Sequence, residues 1–501
     1  MTAADATTQG GALLVFAILL PAAGILASLA LGGRAAERVA LGSAPIALVI
    51  ALAVLVEVWR AGRPVVYVIA GLSPPLGIAL RADGISTVLL LTSALIVPAA
   101  GLFARAGFAT PPGAEDSRKA FAFWIMLQAI SAALAIIFVS GDLFNLYVAL
   151  ELLTFAAVPL ACVEGRAETF AAALRYLLFA LFGSIFYLLG AALLYGAFGT
   201  LDIALLAERM RPLPAVTAAA ALMTAGLLAK TALFPLHLWL PPAHANAPAP
   251  ASAVLSGLVV KGSFFLTVRL WFYVLPALPA FGFDALLGAL GSGAVVFGSV
   301  LALRQPRLKL LIAYSTIAQI GYLFLIFPLG SGPHAWTSDG WNGGLMQVLA
   351  HAFAKAAMFL AAGLLYESLG HDRIASFSGA ARAMPMTFLT LGLGGLSLMG
   401  LPPSGGFAAK WLLLRASVAS GQWLWAIVVL LGGLLAAGYV YRILAPALSS
   451  DPVALKAPPR RAGEAIALTL ALVAVALGFA PDSFFQLLNI GRPPLATAGL
   501  P

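Results

Sequence analysis

Long apolar segments follow one another along almost the whole chain, and they constrain its fold more than any other feature. About fourteen runs occur in 501 residues, each close to the ~20 apolar residues that a helix needs to span a bilayer. Hydrophobic residues make up 62% of the chain and charged residues only 9%. This composition excludes a soluble globular protein. We therefore predict an all-α polytopic membrane protein.

Short loops separate the apolar runs, and no long soluble insertion is visible. The first run has no basic leader, so we predict a transmembrane helix and not a cleaved signal peptide. We expect one transmembrane domain over residues 1–486, with N-terminal helices in 1–119, a last helix at 464–486 and a tail at 487–501. The predicted spans are 11–31, 39–59, 84–104, 120–139, 143–163, 170–198, 215–234, 250–275, 282–303, 308–327, 344–366, 386–415, 421–445 and 464–486.

Two of the predicted spans contain a proline break close to a lysine. Lys230 precedes Pro235 in span 7, and Lys410 follows a Pro–Pro pair in span 12. Interrupted helices at matching positions of two units are typical of inverted repeats in transporters. We therefore predict two inverted five-helix repeats, spans 4–8 (residues 120–275) and spans 9–13 (residues 282–445), with broken helices in spans 7 and 12.

The basic residues of the loops predict the orientation in the membrane. With an even number of spans, both termini lie on one side. The loops on the terminal side carry Arg60, Arg63, Arg81, Arg209, Arg211 and Arg492. The opposite loops carry Arg34, Arg38, Arg105, Arg118, Lys119, Arg166, Arg304, Arg307, Lys309, Arg373, Arg382, Lys456, Arg460 and Arg461. The positive-inside rule therefore places both termini outside, in the cell's inner (plasma) membrane. The net charge of +9 reflects topology, and no nucleic-acid partner is expected.

Six ionisable side chains fall inside predicted spans, and we call them the polar row: Glu151, Lys230, Lys261, His351, Lys355 and Lys410. A charge at this depth costs several kcal/mol, so such residues usually face the protein interior and mark an ion pathway. Structural alternatives exist for single members. Glu151 could be half of a structural ion pair, Lys230 could extend its amine to the interface, and His351 could be a core histidine.

The spacing of Gln347, His351 and Lys355 at i, i+4 and i+8 stacks them on one face of span 11. A polar stripe on an otherwise apolar helix indicates a hydrated interior. Burial favours the neutral form of an amine, whereas a nearby carboxylate favours the charged form. Coupled lysines and glutamates can therefore gain and lose protons, and the polar row predicts proton translocation.

Three further residues are candidate modulators of this path. Arg175, near the start of span 6, stays protonated, so it would tune its neighbours or anchor the helix at the interface. His237 and His244 follow the break of span 7 and would either join the path or cap the broken helix.

Redox chemistry is not visible in this chain. It has a single cysteine, Cys162, and no GxxxxGK[ST] nucleotide-binding sequence. We therefore predict no catalytic residue, no metal and no cofactor, and whether the chain belongs to an enzyme stays open. Energy must come from an ion gradient or from a partner.

Four segments carry a resemblance to a known family: DLFNLYVALELL (142–153), KTALFPLHLWLPPAH (230–244), HAFAKAAMFL (351–360) and GLPPSGGFAAK (400–410). In this order they resemble the antiporter-like superfamily, which includes proton-pumping membrane subunits of complex I and of membrane-bound hydrogenases, and the large subunits of Mrp-type Na+/H+ antiporters. The resemblance covers spans 4 to 13. It implies that Glu151, Lys230, Lys261 and Lys410 form the proton path, and that Arg175 stands where relatives have a lysine.

The DLFN opening of span 5 resembles the D subunit of Mrp antiporters, whereas HLWLPPAH is more similar to complex I and hydrogenase subunits. We favour a proton-translocating subunit of a multisubunit Na+/H+ antiporter, with other integral membrane subunits as partners and with protons and Na+ as the ions. The alternative is a proton-pumping membrane subunit of complex I or of a hydrogenase. Two hypotheses from other classes are a self-sufficient solute transporter and a scaffold whose charges have no role.

Overall fold

The computed structural model describes residues 7–109, 117–275 and 282–493. Within these ranges, thirteen continuous helices are long and apolar enough to cross a membrane. Two half-helices, Pro385–Met399 and Gly405–Ala419, form a further span between the eleventh and twelfth of them. The thirteen are Ala12–Leu31, Gly33–Ala61, Gly84–Phe108, Arg118–Val139, Leu143–Ala161, Ala167–Phe198, Pro214–Thr231, Ala249–Val274, Phe283–Arg304, Leu308–Gly330, Thr337–Leu369, Trp423–Ala447 and Arg461–Phe479. With the broken span counted as span 12, these are spans 1 to 14.

Spans 4–8 and 9–13 form two units with the same internal packing. In the first unit, span 6 packs on the broken span 7, and in the second, span 11 packs on both halves of the broken span 12. Corresponding spans are five apart in the chain, so they cross the membrane in opposite directions and the two units are inverted. The predicted fold class, with about fourteen spans, two inverted repeats and breaks in spans 7 and 12, is confirmed.

Both breaks have a local cause in the sequence. Span 7 ends at Thr231, where Ala232 turns into the left-handed region (φ +58°), and resumes as the short helix Leu240–Asn246. In span 12, Gly400 (φ +80°) ends the first half-helix and the Ser404 hydroxyl caps the second. A backbone carbonyl freed inside a membrane needs a new donor. Trp239 supplies one at the first break, where its indole donates to the Ala229 carbonyl over 2.9 Å.

Spans 8 and 11 lie at the centre of the bundle, and their apolar windows are entirely buried. Span 11 has 33 residues, about 50 Å of helix. Two π-helical segments, Leu255–Val259 and Arg269–Val274, interrupt span 8. Spans 1 and 2 are mostly exposed, as expected for helices that face lipid.

The loops and ends contain shorter elements. Between spans 2 and 3, an antiparallel hairpin that the sequence did not predict joins β1 (Val65–Val68) to β2 (Ala79–Ala82), with Val65 opposite Ala82. Short helical segments occur at Ile69–Gly71, Ile203–Arg209, Ile374–Ser376, Ala380–Ala383 and Asp482–Asn489.

The start of the predicted tail at residue 487 is ordered. Leu487 and Leu488 are buried at the end of the helix Asp482–Asn489. The Trp341 indole donates to the Leu488 carbonyl over 3.1 Å, and the Gly84 amide donates to the Ile490 carbonyl over 3.0 Å. Residues 487–493 therefore close one end of the bundle instead of forming a tail, and the rest of the predicted tail lies outside the described residues.

A buried ion pair ties span 3 to span 8 at the same end. The Arg269 guanidinium binds both carboxylate oxygens of Asp83, and the Tyr273 hydroxyl donates to the same carboxylate over 3.0 Å. Burial raises the pKa of the Asp83 carboxyl, but the Arg269 guanidinium more than offsets this and holds that pKa below its ordinary value. Although Arg269 lies near the end of span 8, its side chain is only 5% exposed, so it is a buried ion-pair partner and not an interface anchor.

We expect Asp83→Asn to destabilise the fold by about 3–5 kcal/mol, because it leaves the Arg269 guanidinium buried without its counter-charge. Asparagine still caps a helix, so the effect reports on the ion pair. Thermal unfolding of the purified protein measures it. Asp339→Asn is the control, since the Asp339–Arg415 pair is exposed and such pairs contribute about 0–1 kcal/mol. Equal, small shifts for both variants would contradict the structural role.

Candidate functional site

Glu151 and Lys230 form an ion pair between spans 5 and 7. The Lys230 ammonium lies 3.3 Å from a carboxylate oxygen of Glu151 and donates to the Thr154 hydroxyl over 3.0 Å. The Glu151 side chain is 15% exposed and that of Lys230 only 5%. Lys230 therefore does not extend its amine to the interface, and the carboxylate stands at the edge of the bundle while the amine points inward.

A hydroxyl pair connects this end of span 7 to span 8. The Thr231 hydroxyl, next to Lys230 in the chain, donates to the Ser263 hydroxyl over 3.0 Å. Ser263 in turn donates to the carbonyl of Val260, the residue before Lys261. These hydroxyls join span 7 to span 8 one residue after Lys230 and two residues after Lys261 in the chain.

Lys261 is fully buried and donates to the carbonyl of Ser256 in its own helix. Ser256 belongs to the π-helical segment Leu255–Val259, and π-helical turns are common at functional sites because they disturb the regular backbone ladder. The Ser256 hydroxyl then pairs with the Thr316 hydroxyl of span 10 over 3.0 Å.

Lys355 meets the same part of span 10. Its ammonium donates to the Ser315 hydroxyl and, over 3.0 Å, to the Ile312 carbonyl. That carbonyl also accepts from the Thr316 hydroxyl over 2.9 Å. The buried amines of Lys261 and Lys355 are therefore connected through four groups of spans 8 and 10.

Lys410 lies at the break of span 12. Its ammonium donates to the Leu398 carbonyl and stands 4.3 Å from the centre of the Tyr322 ring. Gln319 donates to the same carbonyl over 3.1 Å and accepts from the Gln347 amide over 2.8 Å. This chain brings Lys410 to the helix face of span 11 that carries the polar stripe.

Gly400 makes room for the Lys410 side chain. A β-carbon at Gly400 would stand only 2.5 Å from the Lys410 Cδ atom, and the backbone there has a positive φ. Glycine is therefore required both by the turn and by the approach of the lysine.

The three sequence-predicted histidines are buried. Both ring nitrogens of His351 and of His244 have no hydrogen-bond partner among the described residues, and neither does the Nδ1 atom of His237. His244 stacks on the Phe359 ring at 4.6 Å between centroids. A capping role, which would need a hydrogen bond to the backbone, is thus not what His244 performs here.

Arg175 lies on the exposed face of span 6. Within the described residues it makes no hydrogen bond or ion pair with a member of the polar row. The structure thus gathers Lys261, Lys355 and Lys410 around spans 10 and 11, and it pairs Glu151 with Lys230 between spans 5 and 7.

The polar groups that contact the lysines were not among the residues predicted from the sequence: Thr154, Ser256, Ser315, Thr316, Gln319 and Tyr322. The cluster Ser315, Thr316 and Gln319 in an otherwise apolar span could have been noticed, because polar residues inside a membrane helix are costly. In the parts of the chain that the structure describes, no group of three or more His, Cys, Asp and Glu side chains could hold a metal ion.

The fold and the site define a polytopic membrane protein with two inverted repeats around a buried row of ionisable side chains. A family model described as NADH:quinone oxidoreductase/Mrp antiporter, TM, matches residues 140–436. The chain belongs to this family, as the sequence resemblance predicted.

Individual relatives come from more than one kind of complex. NADH-quinone oxidoreductase subunit N of Desulforudis audaxviator is 35% identical over 78% of this chain and 76% of its own length. The D subunit of the Na+/H+ antiporter of Alkalihalophilus pseudofirmus is 27% identical over 90% of both chains. Among solved structures, a chain of the archaeal membrane-bound sulfane sulfur reductase superposes with a TM-score of 0.86, at 28% identity over 96% of both chains.

Replacing Gln319 by leucine should slow proton movement through the site roughly tenfold, because one relay hydrogen bond contributes about 1–1.5 kcal/mol. Proton flux in membrane vesicles that contain the whole complex measures this. Gln128→Leu is the matched control, since Gln128 is equally buried but bonds to Ser28 in span 1. Equal fluxes in the two variants would remove Gln319 from the path.

Proposed function

We propose that this chain translocates protons along the polar row as one subunit of a multisubunit membrane complex. The observation that supports it most is the Glu151–Lys230 pair, 3.3 Å apart, together with three further buried lysines. Lys261 and Lys355 are linked through hydroxyl and carbonyl groups, and Lys410 shares its carbonyl acceptor with Gln319, which bonds to Gln347 of span 11. The other integral membrane subunits of that complex are the expected partners.

The proposed mechanism of proton transfer depends on which positive charges of the polar row have a negative partner. Lys230 has a carboxylate partner, whereas Lys261, Lys355 and Lys410 make only neutral contacts in the described residues. Several uncompensated ammonium groups at this depth repel one another and lose hydration energy. They are therefore not all protonated at once, and a proton added at one end favours release of another.

The Glu151–Lys230 pair is the control point of this scheme. While Glu151 is ionised, it holds the proton on Lys230. When a conformational change or a protonation removes that negative charge, the buried ammonium loses its compensation and releases its proton toward Ser263 and Lys261. Because Glu151 lies at the edge of the bundle, a neighbouring subunit can impose this change.

Two kinds of complex fit this role. Exchange of protons for Na+ in an Mrp-type antiporter is supported by the match to the D subunit of a Na+/H+ antiporter, which spans 90% of both chains. Proton pumping in a redox complex is supported by the 35% identity to an NADH-quinone oxidoreductase subunit N. Both use the same row and differ in the partners that drive it.

Lys230→Ala and Glu151→Gln should each lower proton translocation at least tenfold while the complex still assembles. Each change removes one charge of the control pair, and a tenfold loss corresponds to about 1.4 kcal/mol. Dye-detected proton flux in vesicles measures the effect, with subunit content checked in the same membranes. Matched controls are the exposed residues Lys456→Ala and Glu168→Gln. Normal flux in the Lys230 and Glu151 variants would remove the proposed path, and with it the role as a proton conductor.

Purification of the tagged chain from its own membranes in mild detergent, with identification of every co-purifying protein, separates the two complexes. Small hydrophobic subunits together with a larger antiporter-like one would support Na+/H+ exchange. Iron–sulfur, flavin or nickel-site subunits would instead assign the chain to a redox pump.

A further inference from the structure

A cavity of about 410 Å³ lies at the end of the bundle opposite both termini. Elements from both repeats and from spans 3 and 14 form its walls. We call it the basic vestibule, after its charged lining residues Lys119, Glu164, Arg166, Arg307, Lys309, Glu367, Asp372 and Arg460. Its end of the bundle carries the arginine-rich and lysine-rich loops that the positive-inside rule assigns to the cytoplasm.

All three carboxylates of the basic vestibule are neutralised by arginines. The pairs, with their shortest distances, are Glu164–Arg166 at 2.9 Å, Asp372–Arg307 at 3.0 Å and Glu367–Arg460 at 2.8 Å. Two lysines remain, and each bonds to a backbone carbonyl: Lys119 to Glu164 and Lys309 to Ala247, both over 3.0 Å. Among the described lining residues, the surplus charge is therefore positive and sits on two ammonium groups.

His244 is the residue directly before two lining residues of the basic vestibule. The next two residues, Ala245 and Asn246, line the cavity, while His244 itself is 1% exposed and has two unpartnered ring nitrogens. Its ring stacks on the ring of Phe359 at 4.6 Å between centroids, one helical turn after Lys355 in span 11. A buried imidazole without a protein partner calls for water, and the vestibule is the adjoining space that can supply it.

We propose that the basic vestibule is a cation-excluding cytoplasmic port of the polar row, in which Lys309 repels Na+ and His244 passes protons between the port and the row. This inference rests on the proposed proton transport and adds the ion selectivity of its cytoplasmic entrance. Any Na+ that the assembled complex moves then takes another route.

The selectivity follows from the groups that the port offers. Na+ is a hard cation that needs oxygen ligands to replace its water, as other hard cations do. In the part of the vestibule that the structure describes, every carboxylate is already held by an arginine, and the Lys309 ammonium adds repulsion. A proton needs only a nitrogen or oxygen lone pair, which His244 and water provide.

The single native cysteine allows a direct test in the assembled complex. In a Cys162→Ser chain that also carries Asn246→Cys, thiol reagents of similar size but opposite charge are added to everted vesicles, whose cytoplasmic face points outward. The anionic reagent should react roughly fivefold faster than the cationic one relative to an exposed reference, Ser450→Cys, because one unscreened charge at this distance contributes about 1 kcal/mol. Lys309→Gln should abolish this preference and Lys309→Glu should reverse it, whereas Lys456→Gln should leave it unchanged.

The proposed port would be wrong if Asn246→Cys reacted only from the outer face. It would also be wrong if the charge preference of the labelling stayed the same in the Lys309 variants. His244→Gln should keep the labelling pattern and slow proton flux at least tenfold, and an unchanged flux would remove His244 from the proposal. The labelling rates depend only on the electrostatic field in the basic vestibule. A negative labelling result is therefore distinguishable from a failure of the proposed proton transport, which the flux of the Lys230→Ala variant reports separately.

Discussion

The need to compensate buried positive charges governs how the helices around the polar row are built. Four lysines lie inside the bundle, and one of them, Lys230, has a carboxylate within ion-pair distance in the described structure. Lys261 and Lys410 bond to carbonyl oxygens where helices are widened or broken, at Ser256 and Leu398, whereas Lys355 bonds to Ser315 and Ile312 of span 10. Straight helices in place of these irregularities would leave the amines of Lys261 and Lys410 without those carbonyl partners. These two buried lysines therefore need the break of span 12 and the π-helical turn of span 8, because these irregularities expose the carbonyl oxygens that accept their hydrogen bonds.

The two inverted repeats divide this task unequally. The first repeat contains the acid–base pair, and the second contains amines and amides bonded to neutral groups. Span 10 joins the halves, because Ile312, Ser315 and Thr316 reach both Lys261 and Lys355. In the proposed proton path, a change of charge at Glu151 would reach the second repeat through spans 8 and 10.

Much of the architecture could be predicted from the sequence, because apolar length and proline position are properties of single segments. The fourteen spans, the breaks and the burial of Lys230, Lys261, Lys355 and Lys410 all follow from such local patterns. The connecting groups could not be predicted, since Ser256 and Thr316 meet only when spans 8 and 10 pack together. The burial of Arg269 could not be predicted for the same reason: its counter-charge, Asp83, is 186 residues away in the chain. The order of residues 487–493 depends on span 3 and Trp341, again distant in sequence.

The contact between Gly84 and Ile490 also bears on how the protein is made. Span 3 leaves the ribosome some 400 residues before the segment that covers its first residue, Gly84, which at roughly 5–20 residues per second is an interval of tens of seconds. During that time the Asp83 carboxylate has no cover from the C-terminal segment, although Gly491 later packs against it. The last helix therefore completes the bundle, and a nascent chain that stops before it leaves the start of span 3 and the Trp341 indole without their C-terminal partners.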